Sequence, residues 1–472
     1  MSLARSAIAV VCLVVFATPW RTHASDPATE LGLADAVREA LARNLELAAR
    51  RRSLEADREE VAVVRSALLP QIGVGPREQV LDDDRSDDQR GNNRQESFLL
   101  AAGLNQVIYD EDAWASFDIQ KQTYVKQAWE FDSFQLGVVQ DAAGAFLELD
   151  RSGSTLEIQR NNRELTRKNL ETSRARIAAG WSSEREALRW ESQLAGNDSA
   201  VRAAEVRLLQ ARFELNRVRN RPPESAVAVQ RVTVDEYGFV YSRKPVAEAI
   251  AAPERDQKLR DFLVRVGLAR SPDLAALDAA IAAAERQLTA DRRAFWVPSL
   301  NFAAGVEHLV NSGNKSEARF NATEWMVKGV LTHPLFEGGA KFANLRQAGE
   351  LLASARTTRR AAALTLEQGI RSAFAQASGS YAGIDFAARE LAAAQRSYEL
   401  VDSSYVLGVA SILDLLDAQS QLLDAELAAV NALYDFHEDL LTAEREIALY
   451  PFLESPAAVA ETLDGVEREL RP

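Results

Sequence analysis

In the stretch "YVLGVASILDLLDAQ" (405–419), Asp414 and Asp417 stand three residues apart, so a helix carries both on one face. A shared carboxylate face attracts cations and repels anions. The earlier stretch "RIAAGWSSEREALRWES" (176–192) is punctuated in the same way. Gly180 is followed by Ser183 at the third position and Glu186 at the sixth; Gly408 is followed by Ser411 and Asp414 at those positions. Ser–x–x–acid is also the spacing of a capping box, which closes a helix N-terminus without any further role for the acid. Capping accounts for Glu186 and Asp414 but leaves Asp417 as an ordinary exposed acid, so both readings stay open at this point.

No other constellation points to catalysis. His23, His308, His333 and His437 are scattered, and no metal-ligand cluster, glycine-rich phosphate loop or GxSxG turn is present. The expectation is a protein that is not an enzyme and uses no cofactor or metal. Residues 1–24 read as a secretory signal peptide, with Arg5, the apolar run 7–17 and a small-residue cleavage site ending at Ala24. The only cysteine, Cys12, lies inside it, so the mature chain is expected to carry no thiol. Removing Arg5 and Arg21 from 55 basic residues leaves 53 against 69 acidic ones, a net charge of −16. That balance disfavours nucleic acid as a partner. Beyond the signal no apolar run reaches the length of a spanning helix, so a membrane crossing would require strands.

The elements that hold the acids come from a duplication. "ARNLELAARRRSLEADREEVAVVRSALLPQIGVG" (42–75) parallels "ARSPDLAALDAAIAAAERQLTADRRAFWVPSLNFAAG" (269–305). Pro70 matches Pro298, and Gly180 matches Gly408, each 228 residues on. A spacing this steady marks an internal repeat. The first repeat spans 25–219, with a helix, a β-hairpin over 71–109, a long helix over 112–178 and a helix over 183–219. An equatorial linker covers 220–260. The second repeat spans 261–450, with a helix, a hairpin over 299–336, a long helix over 340–406 and a helix over 411–449. The tail 451–472 joins the equatorial segment or is disordered. Each long helix would reach roughly 100 Å at 1.5 Å per residue. The second carries a seam in steps of three and four from Ala363 through Ile370, Ala377, Ile384 and Tyr398 to Tyr405, the pattern of a helix seeking a coiled-coil partner.

The strand segments alternate with period two: Leu300, Phe302, Ala304 and Val306 against Asn301 and Glu307, and Trp325, Val327 and Leu331 against Glu324 and Lys328. Pro76 and Glu78 interrupt the first pair. Polar loops over 81–96 and 310–322 join each pair; two N-x-S/T triplets there, at Asn314 and Asn321, are read as chance. Four strands cannot close a transmembrane barrel, which needs about eight. The sheet is either soluble or shared between subunits, and the long helices favour sharing.

Signal, duplicated helix–hairpin–helix halves, Pro70 and Pro298 at the strand entries, "PLFEGG" (334–339) and "YVLGVASILDLLDAQ" together resemble the TolC-like outer-membrane factor family over about 31–450. The resemblance implies a mainly α fold with a small β part. Its α-barrel is a duplicated long-helix coiled coil, continued by a trimer-shared, 12-stranded transmembrane β-barrel with four strands per chain. It also implies a homotrimer in the outer membrane, in contact with its lipid and reaching into the periplasm. The partners implied are a periplasmic adaptor and an inner-membrane transporter. Function would be the exit duct of a tripartite efflux pump or type I secretion system. Asp414 and Asp417 would line the periplasmic aperture as stacked rings. Tyr405 would meet Glu186 between neighbouring coils, with packing at the end of the seam as an alternative. The basic residue expected two after the second glycine is replaced by Ala410, and nearby Arg185 is the substitute considered. Gly180, Trp181 and Gly408 would form the adaptor-contact tips. Trp296 and Trp325 would join an aromatic belt, with core packing as the alternative for these and for Trp181. "IYDED" (108–112), standing where the second repeat has "LFEGG", implies a looser exit from the first hairpin. The competing reading is a non-channel periplasmic coiled-coil scaffold, which explains the signal and heptads but not two matched hairpins.

Overall fold

A computed structural model describes residues 30–80, 96–181, 183–233, 253–312, 322–453, 464–466 and 468. The expected signal peptide, most of both polar loops with Asn314 and Asn321, part of the linker and most of the tail lie outside the described residues. In the first repeat α1 (Leu33–Arg43) and α2 (Leu45–Ser66) lead into strands β1 (Gln71–Val80) and β2 (Glu96–Tyr109). Then come the long α3 (Glu111–Ala178) and its return helix α4 (Glu184–Val218). The second repeat runs α5 (Pro253–Arg270), α6 (Pro272–Arg293), β3 (Ser299–Ser312), β4 (Thr323–Thr332), α7 (Ala340–Val406) and α8 (Ile412–Glu446).

Where one helix was expected before each hairpin, there are two. Asn44 breaks the first and caps α2 by accepting from the Leu47 amide; Ser271 does the same for α6 through Leu274, with Pro272 at the first helical position. Helix α5 begins at Pro253, earlier than the expected repeat boundary at 261, again with proline as the opening residue. The hairpin exits also differ from expectation. The first is the tighter: Asp110 alone separates β2 from α3 and caps it on the Ala113 amide. The second passes through Gly338 and Gly339, both at positive φ, before α7 starts.

Helix α3 is the hub, packing on α4, α6, α8, α2 and α1, while α7 pairs chiefly with α8 and then α6 and α5. Each of the seam positions Ile370, Ala377, Ala387 and Tyr405 is buried on α7. Two apolar cores sit at mid-length. One joins α1 to α3 and α4 around Phe146, Ala142 and Leu215; the other joins α5 to α7 and α8 around Ile370, Phe374 and Leu263. Phe146 and Phe374 stand 228 residues apart, so the duplication extends to the packing. Truncating such a phenylalanine typically costs 3–5 kcal/mol.

The described part of the linker lies against α1 and α3. Leu31 and Val229 form a parallel bridge, and the Val232 amide donates to the buried Asp150 carboxylate at 2.8 Å. Arg219 and Arg221 converge on Glu39 of α1. In the tail, Val466 is buried in the α5 core.

The four strands form one antiparallel sheet in the order β1-β2-β3-β4, so the β2–β3 pairing stitches the repeats together. The register places Ile72, Leu104, Ala304 and Val327 in one row and Val74, Ala102, Val306 and Trp325 in the next, on one face. Arg77, Asn105, Glu307 and Lys328 occupy the other, with Arg77 and Glu307 paired at 3.2 Å. Ile72, Val74, Trp325 and Val327 are exposed, and among the described residues the outer edges of β1 and β4 have no partner strand. Trp296 and Trp325 are 82% and 78% exposed, which excludes core packing for both. Among the described residues no helix is long and apolar enough to cross a membrane.

Candidate functional site at the helical tip

The two reversals share one backbone solution. Gly180 and Gly408 have φ of 77° and 79°, the left-handed region that glycine enters without a Cβ penalty. Gly180 N–H donates to the Ile177 carbonyl and Trp181 N–H to that of Arg176; Gly408 and Val409 do the same to Tyr405 and Ser404. This bonding satisfies the last carbonyls of each long helix and turns the chain sharply. Trp181, 77% exposed, projects from the first tip, which removes core packing as its explanation.

The helix starts that follow are not alike. Ser411 caps α8: the Asp414 amide donates to its Oγ at 3.3 Å, and its own amide donates to Asp414 Oδ2 at 2.8 Å. The Ser411 hydroxyl, which donates to Asp414 Oδ2 at 2.8 Å, and then the Ser411 amide hold the Asp414 carboxyl below the usual carboxylate range. Asp414 therefore caps and stays exposed at the same time. Asp417 lies one turn on, also exposed, with Oδ2 accepting from Gln421 at 2.8 Å. In the first repeat Ser183 makes no side-chain cap despite the same spacing.

Glu186 is engaged elsewhere. Its Oε2 accepts from the Tyr405 hydroxyl at 3.1 Å, joining α4 of one repeat to α7 of the other. Tyr405 is buried in a cluster with Trp190, Leu170, Ile412 and Leu415. Burial first, and then the Glu186 carboxylate, raise its hydroxyl above the ordinary tyrosine range. Arg185 is exposed and forms no ion pair among the described residues. The cation at this junction is Arg176. Its guanidinium lies 4.5 Å from the Tyr405 ring centroid and donates to the Tyr405 carbonyl. Sequence reasoning passed over Arg176. Its position in the last turn of a long helix, where basic side chains favour free carbonyls, was the available signal.

Also missed was a buried polar layer set further along the bundle from the tip. Gln419 on α8 donates to Asn162 Oδ1 at 2.7 Å and Thr166 Oγ1 at 2.6 Å, and accepts from Asn169 at 3.0 Å. Asn197 on α4 donates to the same Thr166 hydroxyl at 2.7 Å. These five side chains are almost wholly buried, so an α3–α4–α8 junction is fixed in register by side-chain hydrogen bonds. Polar residues at heptad core positions were the sequence signal. No cluster of ligands able to hold a metal occurs among the described residues.

An exposed pair of acids and a tyrosine–carboxylate contact between coils now stand at the end of a long helical bundle whose other end is a sheet with one apolar face. Comparison with known proteins matches the same two halves. The family model described as "Outer membrane efflux protein" matches residues 36–221 and 263–445. Outer membrane protein TolC of Vibrio cholerae is 25% identical over 396 residues, covering 82% of this chain and 84% of that one. The pyoverdine export outer membrane protein OpmQ of Pseudomonas aeruginosa is 26% identical over 391 residues, covering 78% and 75%. Among solved structures, the open state of the Neisseria gonorrhoeae MtrE outer membrane channel aligns with a TM-score of 0.69 at 22% identity, covering 88% of this chain and 89% of that one.

Proposed function

This chain belongs to the outer membrane efflux protein family, and on that premise we propose that it forms the exit duct of a tripartite efflux or type I secretion machine. Its place is the outer membrane, with the helical part in the periplasm. Three copies complete the duct, and a periplasmic adaptor and an inner-membrane transporter feed it. The observation that carries this reading is the four-stranded sheet. It exposes one apolar face, keeps a charged opposite face, and leaves two ten-residue strands, β1 and β4, open at its edges. Open apolar edges invite pairing with another chain. Three such sheets joined edge to edge make twelve strands, enough for a barrel with lipid outside and water inside.

At the far end the tips converge on the three-fold axis. Asp414 and Asp417 line the aperture there as two carboxylate rings, which favour cations over anions. The capping bonds of Asp414 hold its carboxylate ionised and in a fixed direction. Tyr405, Glu186 and Arg176 hold each copy's coils together, and opening requires that contact to release, since packed coils switch between discrete arrangements. Trp181 and the two glycine turns are the surface offered to the adaptor. Nothing in this role calls for catalysis: this chain contributes the passage, and the inner-membrane partner supplies the energy.

Single-channel conductance of the purified protein in a planar bilayer tests the reading, comparing the native chain with D414A/D417A. The expected result is a small, cation-preferring conductance that loses its preference in the double variant. A pore indifferent to the substitutions would return both acids to helix capping. A folded trimer without any conductance would overturn the duct itself.

A further inference from the structure

The repeat predicts one seam between copies from the seam within a chain. Helices α2 and α6 correspond at an offset of 227: each has 22 residues, and the capping residues Asn44 and Ser271 are that far apart. Counting back from Gly180 and Gly408, α3 and α7 correspond at 228, and the buried pairs Ala142/Ile370, Phe146/Phe374 and Leu149/Ala377 keep that count.

Within the chain, the two repeats meet where α6 packs on α3. There Arg286, its side chain only 16% exposed, donates to Asp118 at 2.9 Å and to the buried Glu111 at 2.7 Å, and Ala290 is buried one turn further on. The repeat operation carries α6 onto α2 and α3 onto α7. These two helices make no comparable pairing in one chain: α2 packs mainly on α3, and α7 on α8, α6 and α5. The counterpart of Arg286 is Glu59, and the counterpart of Asp118 is Arg346, so this ion pair recurs with its charges exchanged, while Glu111 falls on Gly339 and has no counterpart. Both are exposed, and neither has an ion-pair partner among the described residues. Val63, the counterpart of buried Ala290, is 59% exposed beside Glu59.

We propose that the α2 face bearing Glu59 and Val63 docks against α7 of a second copy, with Glu59 paired to Arg346 of the partner subunit. This rests on the trimeric reading above and adds the residues that specify its order. The exchange of charge has a consequence for assembly. A first repeat meeting another first repeat through these faces sets Glu59 against Asp118, and a second meeting a second sets Arg286 against Arg346. Like charges oppose both arrangements, and only alternation of first and second repeats around the ring pairs every charge.

The test combines cross-linking with charge reversal. The sole native cysteine, Cys12, lies in the expected signal peptide, so E59C/R346C provides the only thiols in the mature chain. Treatment of the detergent-purified or outer-membrane-embedded protein with a short bis-maleimide is expected to give dimers and trimers on denaturing gels, while R286C/R346C gives none. Separately, E59R and R346E should each speed trimer dissociation roughly tenfold, and the double reversal should restore most of the native rate. A native trimer that shows neither the ladder nor the rescue overturns the seam while leaving the trimer intact. A native protein that is not a trimer overturns the reading on which the seam rests, and the seam with it.

Discussion

Replacing Tyr405 by phenylalanine removes a single hydroxyl and isolates what the tip contact does. The bond lost is the 3.1 Å donation to Glu186 between α7 and α4. The ring stays, so stacking under Arg176 and packing against Trp190 and Leu415 persist. A hydrogen bond to a carboxylate is worth about 1.5–3 kcal/mol, and the half-exposed position of Glu186 brings that to about 1 kcal/mol per copy. If three tips open together, the closed state loses about 3 kcal/mol, and the open-to-closed ratio rises roughly a hundredfold, at 1.4 kcal/mol per factor of ten. Single-channel recording reads this directly as longer open dwell times. Circular dichroism melting checks that the fold survives, with a fall of no more than a few degrees. E186Q, which keeps a neutral acceptor, should lie between Y405F and the native chain. Unchanged open occupancy in an intact Y405F trimer would refute the reasoning and reduce the contact to packing.

Three further outcomes follow from the geometry. Gly180→Ala and Gly408→Ala force a Cβ into the left-handed region, and each should cost about 1–2 kcal/mol, read as a lower melting temperature and faster hydrogen exchange at the tips. Gln419→Leu leaves Asn162, Thr166 and Asn169 short of partners; a loss of about 2–4 kcal/mol and raised exchange over 162–169 are expected, whereas unchanged exchange would mean water repairs the layer. Two buried groups on α8 give opposite pH limbs. Burial lowers the His437 imidazole to about 4, so the folded state refuses a proton that the unfolded chain accepts, and stability falls as pH drops from about 6.5 towards 4. Burial raises the Glu444 carboxyl well above its usual value, so its contribution is complete at acid pH and is lost as pH rises. His437→Leu should flatten the acid limb of a melting profile, and Glu444→Gln should stabilise the protein at neutral pH.

Much of this molecule is legible along the chain because its order is local and periodic. The long helices were expected at 112–178 and 340–406 and occupy Glu111–Ala178 and Ala340–Val406, since heptad spacing and terminal glycines fix a helix without reference to distant residues. The hairpin exits were less legible. Whether "IYDED" loosens or tightens the exit depends on Asp110 reaching the Ala113 amide, a bond that composition does not announce.

The candidate site divides in the same way. Gly180, Gly408 and the Ser411–Asp414 box follow from spacing alone, because every partner lies within a few residues. Yet Ser183 and Glu186, with identical spacing, form no box, since a tyrosine 219 residues away holds the carboxylate instead. Arg176 and the Asn162–Thr166–Gln419 layer are ordinary polar residues until α3, α7 and α8 lie side by side. Sequence determined the elements, the duplication and the turns, all governed by interactions between near neighbours. Only the tertiary structure decided which charged and polar side chains meet across helices, because those contacts depend on the phase in which separate helices pack, and no single segment carries that phase.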